Sequence, residues 1–442
     1  MMTSPNSSEK MTRRSYVSPA MYLHYTTLVM MAVYLLADMM SGFTLITFGL
    51  DLKISLIYKI PLFLFLALLI ARYNFRWFLG ILGILGILLI GPTTKFFQYV
   101  DLSIYFSDFG YAVKLLMPIT VFAYFAQLYR IAPDFALCWT KRILWSAFII
   151  LSFNFILGAL GFGRGTYQLE GDDTAGTTGF IYAGNELGPA FLVVFGFVLH
   201  QLWNHSKKRW YFLCALFTVA AGLLVATKTA MLAAFLLVSF IPIVNERHNF
   251  LKLTWLKIKI LAPFFLAIIV IIVAISELLE AIGLYDRMVF FYQKRGIIGI
   301  LWSGRDIFID NMFDVYIHQS NIFYQFFGHG TSIGKLHPLG LSGTEVDLMD
   351  SLTWFGFFGA TICIIFYVSL FYKSVQLTLR RDAVYAPCLF IVNTLLLLLS
   401  QLSGHIWMSG TLGILFGVIN SLLFFELQQL DKSSCSTVGK DL

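Results

Sequence analysis

The sequence predicts an all-α polytopic membrane protein of about twelve transmembrane helices, with a large, partly helical extracytoplasmic loop between the ninth and tenth. Three observations predict it. Of 442 residues, 58% are hydrophobic and only 12% are charged, and the mean hydropathy is +0.79, which leaves too little polar surface to solvate a globular fold. Apolar runs of about 17 to 26 residues recur along the whole length, each able to cross ~30 Å of hydrocarbon as a helix. Basic residues fall in every second loop, the distribution of loops that stay on the cytoplasmic side.

The elements follow in order. Residues 1–22 form a polar cytoplasmic tail without the small-residue cleavage site of a secretory signal, so the first apolar segment reads as a retained helix. The nine helices of residues 23–277 are placed at 23–48, 54–71, 76–92, 109–129, 143–161, 180–201, 210–226, 229–245 and 260–277. A loop occupies 278–350, three helices occupy 351–372, 385–403 and 407–426, and a cytoplasmic tail closes the chain at 427–442. An even number of crossings puts both termini in the cytoplasm. Helices seven and eight are separated only by the stretch around Ala226 to Thr229, which demands a tight outward hairpin and sets Lys228 at or just inside the outer membrane face.

The net charge of +7 would suggest nucleic acid in a soluble protein, but its placement makes it topological. Basic clusters occur at Lys10, Arg13 and Arg14; at Arg72 and Arg76; at Arg130, Lys141 and Arg142; at Lys207, Lys208 and Arg209; at Arg247, Lys252, Lys257 and Lys259; and at Lys373, Arg380 and Arg381. With Lys432 and Lys440, about 20 of the 31 Lys and Arg residues share one side. The cysteines Cys138, Cys214, Cys363, Cys388 and Cys435 lie in helices or on the basic side, where no disulfide is expected. No C-x-x-C or H-x-x-x-H spacing is present, so no zinc site is expected.

Two outward segments are too long to be mere connectors. The first, 161–179, is rich in Gly, Asp and Thr. The second, from about Ser276 to Asp350, carries most of the outward charge, and in it Phe308, Met312, Val315 and Tyr316 recur at helical spacing opposite Asp306, Asp310 and Asp314. That pattern predicts a short interfacial helix whose acids form a solvated face.

Glu345, Asp347 and Asp350 form E-x-D-x-x-D just before the tenth helix. One acid can cap that helix; the set as a whole offers a general base for a hydroxyl. Lys228, between two apolar helices, either snorkels outward or faces a cavity as a compact charge for phosphate. Arg305 either pairs with Asp306 or Asp310 or presents a bidentate fork to phosphate. Arg164 is either a solvated loop charge or a third phosphate ligand. Asn185 and Glu186, at the start of the sixth helix, are candidates for substrate contact, with helix packing and pairing to Lys228 or Lys114 as the alternatives. Asp38 and Lys114 are read in the same way. The outward His318, His329, His337 and His405 lack ligand spacing and are read as surface or packing residues.

Taken in order, GFGRGTYQLEG, TGFIYAGNELG, ATKTAMLA, WSGR, FFGHG and EVDLMDSLTWFGFFG resemble stations of the bacterial O-antigen and capsule polymerases of the Wzy type. Those membrane glycosyltransferases share a superfamily with the O-antigen ligases. The resemblance implies transfer of a glycan from polyprenyl (undecaprenyl) diphosphate to the non-reducing end of another lipid-linked unit, at the periplasmic face of the inner membrane. It implies no metal, nucleotide sugar or other cofactor, and partners comprising the lipid-linked donor and acceptor, membrane lipids and a chain-length regulator protein. On this resemblance Lys228, Arg305 and Arg164 hold the diphosphate, and Glu345, Asp347 or Asp350 activates the hydroxyl.

Two departures bear on this. The ligase branch carries a histidine near the end of its large loop, whereas the corresponding stretch here is acidic and His337 lies upstream of Glu345, which favours polymerase over ligase. Where many relatives have arginine in the seventh-to-eighth hairpin this chain has Lys228, which keeps the charge and loses the fork. The alternatives are a ligase-type transferase, a flippase for lipid-linked sugars lined by Asp38, Lys114, Glu186 and Lys228, and a structural membrane subunit.

Overall fold

The computed structural model describes residues 19–168, 174–181, 184–205, 207–249, 252–273, 285–302, 304–336, 340, 342–380 and 382–438. The N-terminal tail and His337 lie outside these residues. The chain is an all-α, multi-pass membrane protein: among the described residues, nine helices are long and apolar enough to cross a membrane, and Thr229–Asn245 and Ala386–Leu402 are shorter apolar helices.

The helices are α1 (Pro19–Phe48), α2 (Ile54–Tyr73), α3 (Phe75–Tyr99), α4 (Leu102–Ile131), α5 (Pro133–Ala159), α6 (Gly184–Asn204), α7 (Lys208–Val225), α8 (Lys228–Asn245) and α9 (Trp255–Val273). After these come α10 (Tyr285–Trp302), α11 (Arg305–Asp314), α12 (Ile322–Phe327), α13 (Asp347–Thr378), α14 (Ala386–Leu402) and α15 (Leu412–Val438). Very short connections make neighbours antiparallel. Asn74 alone separates α2 from α3 and caps the latter by accepting the Trp77 N–H at 3.2 Å. Asp101 caps α4 through the Ser103 and Ile104 N–H groups at 3.1 and 3.2 Å. Thr227 caps α8 by accepting from the Ala230 N–H at 3.2 Å, so the expected tight hairpin between α7 and α8 forms.

Several boundaries differ from the sequence reading. α3 runs through Pro92 to Tyr99 instead of stopping at the proline, and Pro61, Pro118, Pro189 and Pro242 also sit inside helices. In a membrane bundle, neighbouring helices re-satisfy the backbone groups that a proline releases. The Gly-rich segment after α5 holds a two-stranded antiparallel hairpin, β1 (Arg164–Gln168) with β2 (Thr174–Gly179), that the sequence reading did not foresee. The last helix begins at Leu412 rather than at 407, leaving 403–411 as a non-helical crossing inside the bundle.

The packed centre is α6 with α15 and α4. Leu187 to His200 of α6 are all buried, wrapped by α5, α7, α8, α14 and α15. α15 lies along α4, with Tyr129 stacked on Phe425 at 4.2 Å between ring centroids. One end of the bundle gathers the starts of α2, α4, α6, α8, α13 and α15. Over it lies the segment 304–336. Asp108 of α4 accepts the Thr331 N–H at 2.6 Å, and Lys95 of α3 sits over the Tyr324 ring at 4.1 Å. His329 is buried there, bonded to Ser320 Oγ at 2.6 Å and stacked on Tyr324, and burial together with the Lys95 ammonium pushes its imidazole down to about 4. The packing role expected of His329 is the one it has.

α13 is broken at Gly356, whose φ of 69° and ψ of −169° belong to a region open essentially to glycine alone. A Cβ there would also collide with the Phe326 carbonyl. The break lets α12 tuck its Phe326 and Phe327 against Phe357 and Phe358. Gly356→Ala is therefore expected to destabilise the detergent-solubilised protein by about 1–3 kcal/mol from backbone strain alone. A thermal denaturation midpoint equal to wild type would show that the break is incidental.

Candidate functional site

The gathered end carries most of the residues singled out from sequence, organised by the crossing segment 403–411. Gly404 has φ +63° and lies directly on the Glu345 carbonyl, where any Cβ would collide. Just beyond it, Asp347 accepts the Ile406 and Trp407 N–H groups at 2.9 and 3.2 Å. Further along, Glu186 of α6 accepts from Ser409 Oγ at 2.6 Å and from the Thr411 N–H at 2.8 Å. Thr411 Oγ1 in turn donates to Asp38 of α1 at 3.0 Å, and Asp38 pairs with Lys59 Nζ of α2 at 2.6 Å and accepts from Ser55. Lys114 of α4 joins this buried group, its ammonium 5.0 Å from the centre of the Tyr111 ring. Four charges, two of each sign, thus sit among apolar helices with opposite charges for neighbours, the condition under which buried ions are tolerated. Lys59, Ser55, Ser409 and Thr411 did not emerge from the sequence; the S-G…S-G-T punctuation of 403–411 is the signal that could have found the last two.

The E-x-D-x-x-D acids part company. Asp350 turns back to accept the Thr344 N–H at 2.5 Å and Thr344 Oγ1 at 2.9 Å, and it is buried, as is Asp347. Both are therefore held by backbone N–H groups, with Asp350 closing the turn into α13 and Asp347 anchoring the crossing segment. Glu345 faces outward. It adopts φ +58°, a left-handed conformation that costs a non-glycine residue about 1–2 kcal/mol, and its Oε2 receives Arg305 Nη2 at 2.7 Å and Nε at 3.1 Å. The partner of Arg305 is thus Glu345, forty positions away, rather than Asp306 or Asp310.

Arg305 and Glu345 line a cleft of about 410 Å³ that also includes Phe290, Phe291, Lys294, Arg295, Gly304, Asp306 and Phe308. Its volume falls in the range of small-ligand sites. α10 bends at Arg295 and Gly296, and α11 folds back beneath it after Gly304. Arg295 reaches both Asp306, at 3.5 Å, and Asp310, at 3.4 Å. Lys294 lies 4.4 Å from the Phe290 ring centre. The expected short helix is present as α11, continued by a π-helical turn at Val315–Gln319, with Met312, Val315 and Tyr316 buried within the protein and Asp310 and Asp314 exposed. Asp306 departs from that expectation, since the fold-back of α11 under α10 takes it off the solvated face and buries it. Three cations beside aromatic rings suit an anion attached to a ring-bearing group.

Other candidates lie at the same end. Arg164 begins β1, whose Thr166 Oγ1 donates to the Val225 carbonyl at 2.7 Å, so the hairpin rests on the α7–α8 turn. Lys228 is the first residue of α8; its side chain lies outside the described residues. Asn185 is exposed in the first turn of α6. Comparison with protein-family models, curated proteins and solved structures finds no match to this chain.

Proposed function

We propose that this chain is a lipid-linked glycan polymerase of the O-antigen or capsule type, a membrane glycosyltransferase that moves a polyprenyl-diphosphate-linked glycan onto the non-reducing end of another lipid-linked repeat. The observation that carries the reading is the cleft, where Arg305, Arg295 and Lys294 converge beside the Glu345 carboxylate at one end of the bundle. Such a reaction needs cations to hold the departing diphosphate and an oxygen acceptor beside the attacking hydroxyl. In this reading twelve helices cross the inner membrane of a bacterium with both termini in the cytoplasm. The basic clusters at Arg72 and Arg76, Arg130, Lys207 to Arg209, Arg247 and Arg380 flank helix ends away from the cleft, which supports placing the cleft on the outer side. The pairing of Asp38 with Lys59, and the engagement of Glu186 by Ser409 and Thr411, speak against a polar path for transport.

Gel analysis of surface polysaccharide tests the reading. Cells lacking the gene are expected to carry single-repeat glycan on the lipopolysaccharide core, with ladders restored by the wild-type gene. Full-length ladders in the null strain would overturn the proposal, and glycan retained entirely on the carrier lipid would point to ligation instead.

A further inference from the structure

Asp306 is the second residue of α11 and is only 5% exposed, yet both of its carboxylate oxygens lack a hydrogen-bond partner. It lines the cleft. The Arg295 guanidinium stands 3.5 Å away, within ion-pair range but donating no hydrogen bond to it. Buried carboxylates are almost always hydrogen-bonded, and one that is not, at the wall of a cleft, is complementary to a donor supplied by a ligand. The other acids of the region are engaged or solvent-facing: Glu345 holds Arg305, Asp347 holds the Ile406 and Trp407 amides, Asp350 holds Thr344, and Asp310 and Asp314 are exposed. On the cationic side, the start of α11, which carries no side-chain cap, lines the cleft together with Arg295, Arg305 and Lys294.

We propose that Asp306 is the catalytic base of the cleft, accepting the proton of the sugar hydroxyl that attacks the donor. This rests on the polymerase reading. In the step, the acceptor oxygen forms a bond to the anomeric carbon of the donor, and the bond from that carbon to the diphosphate oxygen breaks. The electron pair leaves on the diphosphate, which the three cations hold, and the hydroxyl proton moves to Asp306.

Two measurements on the full-length protein decide it: ladder formation in the complemented null strain, and binding of inorganic pyrophosphate to the detergent-solubilised protein by titration calorimetry. Asp306→Asn is expected to slow elongation about 100-fold or more, while pyrophosphate binds as tightly as to wild type or more tightly, because a like charge beside the anion has gone. A purely structural Asp306, needed only to steady Arg295, predicts loss of both, and that result overturns the proposal. So does wild-type elongation by the variant, or failure of the wild-type protein to bind pyrophosphate. If Asp306→Asn does not accumulate in the membrane, Asp306→Ser is read by the same criteria, and if neither accumulates the acid is a folding element and the proposal falls. Full ladders in the null strain would defeat the polymerase reading itself, a result that does not involve Asp306.

Discussion

Asp38→Ala is expected to destabilise the protein more than any other single change at the gathered end. The carboxylate is 6% exposed and joins Lys59 at 2.6 Å, Thr411 at 3.0 Å and Ser55. Removing it strands the Lys59 ammonium, itself only 13% exposed, among apolar helices. Breaking a buried pair in this way costs about 3–5 kcal/mol, whereas replacing both partners by apolar groups of similar size is often neutral. Thermal denaturation of the detergent-solubilised protein should show a marked loss for Asp38→Ala and recovery in Asp38→Leu combined with Lys59→Met. The double variant also separates two functions. A glycan polymerase whose chemistry sits in the cleft should still make ladders, while a transporter using these charges as a path should not. An Asp38→Ala protein as stable as wild type would mean that Lys59 finds water, and the buried-pair account would be wrong.

The membrane bundle was legible in the sequence because lipid imposes a simple demand, long apolar runs with basic connections on one side. Asn74, Asp101 and Thr227 cap helix starts with short side chains that satisfy free N–H groups, a signal that hydropathy spans pass over: the fourth helix, expected from 109, begins at Leu102 behind Asp101. The run from Ile406 to Phe416 was not legible either, because Ile, Trp, Met, Leu and Phe dominate it and only Ser409, Gly410, Thr411 and Gly413 interrupt. Hydropathy cannot distinguish a helix from an irregular strap whose N–H groups are taken up by Asp347 and Glu186, residues more than fifty positions away.

The acid cluster misled in a different way. Glu345, Asp347 and Asp350 are close in sequence, which suggested one shared task. Glu345 precedes the helix in a left-handed conformation, and although Asp347 and Asp350, three apart, start on one face, each takes the free N–H groups of a different segment. Glu345 accordingly reaches Arg305, Asp347 reaches the crossing segment, and Asp350 folds back on Thr344. The row Asp306, Asp310, Asp314 failed for the complementary reason. Its regular i, i+4 spacing reads as one solvated face, but the turn at Gly304 presses only its first member beneath α10.

Arg305→Ala is expected to slow elongation about 10²–10³-fold, the loss typical when one preorganised donor to a developing charge is removed. Among the cleft's cations, Arg305 is the most firmly set. Its side chain is 16% exposed, against 48% for Arg295, and two of its nitrogens already point at a single oxygen of Glu345. That oxygen marks where a phosphate oxygen would sit once the diphosphate competes for the guanidinium. Arg305→Lys keeps the charge and loses the planar fork, so it should retain part of the rate and lie between wild type and the alanine variant. Glu345→Gln frees the guanidinium without removing it, and its effect should be smaller than that of Arg305→Ala. The measurement is consumption of lipid-linked repeat in membrane vesicles, with membrane levels matched. Wild-type rates for Arg305→Ala at normal levels would remove the leaving group from this cleft. Glu345→Gln losing as much as Arg305→Ala would instead make the carboxylate an equal participant in the chemistry, rather than the placeholder that keeps Arg305 aimed until substrate arrives.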